Sequence, residues 1–241
     1  MMRWIKVNRF LRTSLLLPEE KMNSIRNSHV MIFGVGGVGG YVVEALVRSG
    51  LGKVSIIDND TVNPTNINRQ IIALENTIGR LKVEVFKERI LAINPNCIVT
   101  CYDTFITENN INEIDYNGVD YIVDAVDTIS AKIAIITKAK ELNIPIISSM
   151  GAGNRLDPMQ IRFADINQTK NCPLAKVMRY ELKKREIKNV KCIFSLELPI
   201  TPLKEIINEE NGKTVIGSIS YMPSIFGLMI ASEVIKDIKK D

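Results

Sequence analysis

The stretch Met31–Leu46, MIFGVGGVGGYVVEAL, carries five glycines within the seven residues 34–40, set between two apolar runs. Glycine at that density costs backbone entropy, so it marks a place where something approaches the chain closely. Residues 30–34 read as a short buried strand. Residues 38–49 read as a helix, with Val38, Val42, Ala45 and Leu46 at helical spacing and Gly50 past its end. Strand, glycine loop and helix in that order point backbone N–H groups and a helix N-terminus at one spot, where a phosphate can sit. On its own the loop suits NAD, FAD and ATP alike.

The rest of the chain repeats the alternation. KVSIID (53–58), CIVTCY (97–102), DYIVDAV (120–126) and PIISSM (145–150) are strand-like, and 79–94 and 129–143 have helical periodicity. This predicts an α/β, Rossmann-like, doubly wound and mostly parallel sheet with helices on both faces. The core is expected over 25–155. A C-terminal extension of helices and strands over 156–241 faces substrate and dimerises, the whole 1–241 forming one domain. In that extension 172–188 reads as a basic amphipathic helix, 191–197 as a strand, 198–218 as a polar loop, and the end as a helix with Pro223 near its start. With 46% hydrophobic residues in 241, the chain can bury a full core. It has no apolar run of membrane-spanning length and no signal-peptide pattern, so a cytoplasmic protein with no integral membrane segment is expected, its four cysteines free thiols.

Three features separate the nucleotide candidates. The glycine loop is Gly34-x-Gly36-Gly37-x-Gly39. After the second strand comes DNDTVNPTNINRQ (58–70), bearing Asp58, Asp60, Asn66, Arg69 and Gln70. Asp127 follows the fourth strand, and Lys82 lies near a helix start. A dehydrogenase has no need of an arginine and a further acid around the pyrophosphate. In a nucleotidyl-transfer site Arg69 and Lys82 offset phosphate charge, and Asp127 holds Mg²⁺. In that order along one α/β domain these residues resemble the ThiF/MoeB/HesA superfamily, relatives of ubiquitin-activating enzymes. The resemblance implies ATP and Mg²⁺ as cofactors and adenylation of a carboxylate. It gives Asp58 to the ribose, Asn66, Arg69 and Lys82 to the phosphates, and Asp127 to the metal. Arg12, in RFLRT, matches an arginine supplied to the neighbouring active site of a homodimer.

The carboxylate is suggested by the second half. Residues 148–199, with NRFLRTSLLL near the start and GSISYMPSIFGLMIASEVIK at the end, resemble the tRNA threonylcarbamoyladenosine dehydratase branch (TcdA, also called CsdL). That branch implies a tRNA partner and no DNA. The threonine carboxylate of threonylcarbamoyladenosine is activated by ATP and the ring closes within the same molecule, with release of pyrophosphate and AMP. Ring closure of this kind needs no enzyme nucleophile, because the reacting groups are already joined. Between residues 176 and 191 seven basic residues (Lys176, Arg179, Lys183, Lys184, Arg185, Lys188 and Lys191) stand against two acids. A basic face of that density fits a phosphate backbone.

Two other readings remain at this stage. One is an adenylyltransferase for the Gly-Gly terminus of a ubiquitin-like sulfur carrier, with a sulfur-transfer partner protein. Such enzymes carry paired Cys-x-x-Cys motifs, whereas Cys97, Cys101, Cys172 and Cys192 have no such spacing and His29 is the only histidine. Cys172 falls where the superfamily often has a reactive cysteine in a crossover loop. The other reading is a non-catalytic NAD-binding module.

Overall fold

The computed structural model describes residues 8–207, 212 and 214–238; part of the loop expected at 198–218 therefore lies outside the described residues. In chain order the strands are β1 (His29–Phe33), β2 (Lys53–Ile57), β3 (Ile98–Tyr102), β4 (Tyr121–Asp124), β5 (Ile146–Ser149), β6 (Ile161–Asp165) and β7 (Lys191–Ser195). The helices are α1 (Leu11–Ser14), α2 (Glu19–Asn27), α3 (Gly39–Arg48), α4 (Lys82–Ile93), α5 (Ile129–Glu141), α6 (Pro173–Lys184) and α7 (Tyr221–Asp237). The strands form one sheet in the order β3-β2-β1-β4-β5-β7-β6. Every pairing is parallel except β6 with β7. No helix among the described residues is long and apolar enough to cross a membrane.

Side chains alternate across the strands, and that period separates two cores. Val30 and Ile32 face α3, α4 and α7, whereas Met31 and Phe33 face α5 and α6. Both faces are covered, which is why the strands read as nearly continuous apolar runs. Helix α3 ends where Gly50, at φ +100°, lets its own N–H reach Val47 O and the Leu51 N–H reach Leu46 O. This is the left-handed stop that glycine serves after a helix.

Three of these elements were absent from the expectation, the first being α1, a single turn with no buried residue. Helix α2 shows only Met22 and Ile25 as apolar anchors, too few to register as a periodic stripe. Strand β6 is an edge strand of half-buried residues that folds back antiparallel on β7. Several boundaries also move inward. Helix α4 begins at Lys82 rather than 79, because Gly79 N–H and Arg80 O are bonded to Val62. Helix α6 stops at Lys184, with Glu186 and Asn189 in the left-handed region. Strand β7 ends at Ser195. The sheet continues through β7 and α7 packs on the same core as α3, so the segment after 156 adds to the layer built before it.

His29 is buried at the start of β1, its Nε2 2.8 Å from Ser55 Oγ and its Nδ1 without a partner among the described residues. Burial, with the Lys53 charge adding to it, holds its pKa below the ordinary 6.5, against the Gly118 backbone and the Asp120 and Asp115 charges. The folded chain keeps the ring neutral where the unfolded chain protonates it. Stability therefore falls as pH drops through 6.5 toward the lower folded value. Urea midpoints measured between about pH 7 and pH 5 should show this slope, and His29→Gln should flatten it.

Candidate nucleotide site

The ends of the central strands set the site. Phe33 is level with Ile57 on one side and Asp124 on the other, so Gly34, Asp58 and Ala125 emerge together at the carboxyl edge. The chain winds outward from β1 to β3 and then returns to β4, leaving a crevice between β1 and β4 where open α/β sheets bind ligands. A cleft of about 510 Å³ opens there. Among its lining residues are Gly34, Gly36, Gly37, Asp58, Asp60, Asn66, Arg69, Gln70, Lys82 and Asp127, drawn from five separate segments.

The glycine loop is held from beneath. Asp58 accepts the Val35 N–H at 2.8 Å and the Asp60 N–H at 2.9 Å, one on each carboxylate oxygen. Burial raises its pKa above the usual aspartate range, and the Lys82 ammonium 4.0 Å away opposes that. Lys82 opens α4 with its side chain almost fully buried and its Nζ 2.6 Å from Asp60. The N–H groups of Gly36, Gly37 and Val38 donate to no acceptor among the described residues. Three adjacent unpaired amides ahead of a helix form a cradle that an oxyanion completes. Gly39 serves differently: a Cβ there would lie 1.8 Å from Gly34 O, so it lets α3 rest on the loop and does not line the cleft.

On the opposite wall, a short 3-10 turn at Pro64–Asn66 presents Asn66 and Arg69. Asn66 Oδ1 accepts the Asn63 N–H at 3.0 Å, which leaves its amide N–H groups without an acceptor among the described residues. Arg69 donates to Thr65 O and Asn68 Oδ1, each at 2.9 Å. Burial pulls its pKa down and the Asp127 charge opposes that, so the two face one another electrostatically. Gln70 is buried beside Gly36, its Oε1 unpaired among the described residues. Asp127 is exposed, and among the described residues its carboxylate is bonded only to the Thr128 hydroxyl, at 3.4 Å. No group of three or more His, Cys, Asp or Glu among the described residues forms a metal cage. One free carboxylate beside an oxyanion cradle is a donor set that fits Mg²⁺, which is commonly held by one or two carboxylates plus substrate phosphates.

The sequence reading missed several parts of the wall, among them residues 149–153 at and after the end of β5. Phe105 and Ile106 follow β3, and Ile216 and Ser218 come from the loop that had no assigned role. That loop is tied down where Asn154 N–H donates to Gly217 O, Gly217 N–H to Asn154 Oδ1, and Asn68 to Ser218 O. Only the oxygen-bearing Asn and the small Gly could have hinted at it.

Other expected residues lie elsewhere. Arg12 is exposed on α1, away from the cleft of its own chain and next to the exposed Leu15 and Leu16. Lys176, Lys183 and Lys188 are exposed and without a partner among the described residues, while Lys184 stacks on Tyr180 and pairs with Glu181. Arg185 pairs with Glu181 and Glu108. The structure does not bring Arg179 or Lys191 to that surface. Arg179 binds Thr169, and Lys191 lies on the other sheet face, paired with Glu233 and Asp237. Burial pushes the thiols of Cys97 and Cys192 up to about 11 and about 12. Cys172 is buried at the start of α6, beside Gly151.

An oxyanion cradle, an acid at the end of β2, and Arg69 and Asp127 lining one cleft at a switch point make a site suited to a nucleotide's phosphates. The chain belongs to the ThiF family, whose model matches residues 8–241. It is 41% identical over 98% of its length to a tRNA threonylcarbamoyladenosine dehydratase of Bacillus subtilis, covering 96% of that protein. It superposes with a TM-score of 0.87, at 35% identity, on the crystal structure of Escherichia coli tRNA N6-threonylcarbamoyladenosine dehydratase, TcdA, in complex with ATP, covering 95% of this chain and 93% of that one. A probable molybdopterin-synthase adenylyltransferase of Porphyra purpurea is 35% identical over only 54% of this chain and 34% of its own.

Proposed function

We propose that the chain is an ATP-dependent tRNA threonylcarbamoyladenosine dehydratase. The observation that carries the reading is the meeting of the open amides of residues 36–38 with Arg69 and Asp127 in one cleft, in a chain similar to such dehydratases along its whole length. ATP lies with its phosphates on the cradle and its ribose at Asp58, whose two oxygens each keep an acceptor lone pair. The threonine carboxylate attacks the α-phosphate and pyrophosphate leaves. The carbamoyl group of the same nucleoside then attacks the acyl-adenylate and AMP leaves; the reacting groups are already joined, so the ring closes without an enzyme nucleophile. Arg69, Lys82, Asn66 and Gln70 receive charge that develops on the phosphates. Asp127 would hold Mg²⁺, which supplies Lewis-acid neutralisation of the phosphate oxygens.

Further proposals follow from surfaces. Lys176, Lys183, Lys184, Arg185 and Lys188 meet the tRNA backbone from the α6 side, and a tRNA substrate places the enzyme in the cytoplasm. The exposed Leu15 and Leu16 beside Arg12 support a homodimer in which Arg12 enters the neighbouring site. The test is direct. Unmodified-ring tRNA incubated with the protein and ATP should yield threonylcarbamoyladenosine lighter by one water, read by mass spectrometry of the nucleosides. Unchanged masses, together with pyrophosphate exchange that depends on a small protein ending in Gly-Gly, would replace this reading by the sulfur-carrier one.

A further inference from the structure

Three polar side chains sit beneath the Asp127 loop with no exposure to solvent: Asp124 at the end of β4, Lys132 in α5 and Ser148 in β5. Lys132 Nζ is 2.9 Å from Asp124 Oδ2, and Ser148 Oγ donates to the same oxygen at 2.5 Å. The cluster also reaches the loop backbone. Lys132 Nζ donates to Val126 O at 2.9 Å, and the Val126 N–H points to Asp124 Oδ1 at 3.3 Å. Both polar groups of the residue immediately before Asp127 therefore end on one buried ion pair. The residue before that is fixed too, its N–H donating to Phe33 O at 2.8 Å. The Asp127 carboxylate itself, by contrast, is bonded among the described residues only to the Thr128 hydroxyl.

Stability alone does not explain the cluster. A buried ion pair loses its hydration, and apolar residues of similar volume often serve a fold equally well. Strand β4 is already paired on both sides, and α5 is anchored by Ala131, Ile135, Ile136 and Ala139. What apolar side chains would not supply is a donor and an acceptor for the Val126 peptide. We propose that Asp124, Lys132 and Ser148 are positioning residues that lock residues 125–127 so that the Asp127 carboxylate stays in the cleft opposite Arg69. This rests on the role given to Asp127 above. A sub-ångström change in its place matters, since a misplacement of about 1 Å costs a reaction about 10²-fold.

The test replaces the whole cluster by Asp124→Leu, Lys132→Met and Ser148→Ala together, because Lys132→Met alone would strand a buried carboxylate. In the protein without nucleotide or metal, amide hydrogen exchange at residues 125–128 should speed by about tenfold or more while the rest of β4 stays protected. In the same variant kcat for AMP formation should fall by about 10²-fold, with the Mg²⁺ concentration for half-maximal rate raised and KM for ATP changed less than about threefold. Should the triple variant not fold, Ser148→Ala, which leaves the ion pair, should speed the same amides by about threefold. A folded triple variant with the parent's exchange at 125–128 overturns the proposal, as does faster exchange with unchanged kinetics when Asp127→Ala is inactive. Faster exchange with full activity in both the triple variant and Asp127→Ala upholds the locking of the loop and overturns the role given to Asp127.

Discussion

Asp127→Ala lowers the rate of AMP formation by about 10²–10³-fold, the range seen when one preorganised electrostatic group is lost from a transition state. The fold does not register the change. Asp127 is exposed and its carboxylate is bonded among the described residues only to Thr128, so stability stays where surface substitutions leave it, within about 0.5 kcal/mol. That contrast separates chemistry from structure at this position. Arg12 is equally exposed, and in the proposed homodimer Arg12→Ala loses activity for a different reason, because there the arginine serves the neighbouring site. The two defects are then complementary. In a mixed dimer, the site that retains Asp127 receives Arg12 from the other chain, whereas the second site lacks both. Equal mixing after dissociation should restore about a quarter of the parent's sites, since half the twofold dimers are mixed and each has one whole site. Steady-state AMP release measures it. No recovery on mixing places Arg12 in its own chain's site or outside the chemistry; full activity in Asp127→Ala alone removes that carboxylate from the mechanism.

The sheet was legible because each central strand is apolar on both faces and each helix carries a stripe. Those patterns are local. Helix α2 and strand β6 were not legible, since each owes its form to a neighbour: α2 to the Met22 and Ile25 contacts, and β6 to the edge offered by β7. The site residues could be picked out by their order along the chain, because in a parallel sheet every strand delivers its next residue to one edge. Asp58 and Asp127 meet for that reason, and Arg69 joins them from the turn that follows β2. A charge run carries no such rule. Arg179 and Lys191 belong to the run in sequence, yet one caps a loop at Thr169 and the other crosses the sheet to α7. Asp124 and Lys132 were hidden for the opposite reason. A lysine in α5 looks solvated until its helix is docked and its ammonium meets the Asp124 carboxylate and Val126 O.

The five glycines divide into those that serve the ligand and those that serve the fold, and two substitutions separate them. In Gly36→Ala the new methyl meets only Gln70, at 3.6 Å, an ordinary contact, so stability should change by less than about 1 kcal/mol. The methyl nevertheless stands in the cleft, on the cradle of open amides, and ATP affinity measured by calorimetry should fall by about 10²-fold or more. Gly39→Ala acts the other way. Its Cβ would fall 1.8 Å from Gly34 O, backbone against backbone, with no flexible side chain to yield. Either α3 lifts from the loop or the loop leaves the sheet edge, at a cost above about 3 kcal/mol read from urea unfolding. Parent-like ATP affinity in Gly36→Ala would take the phosphates off this loop. Parent-like stability in Gly39→Ala would show that α3 does not rest on it, and with that the loop would have no fixed shape to offer a nucleotide.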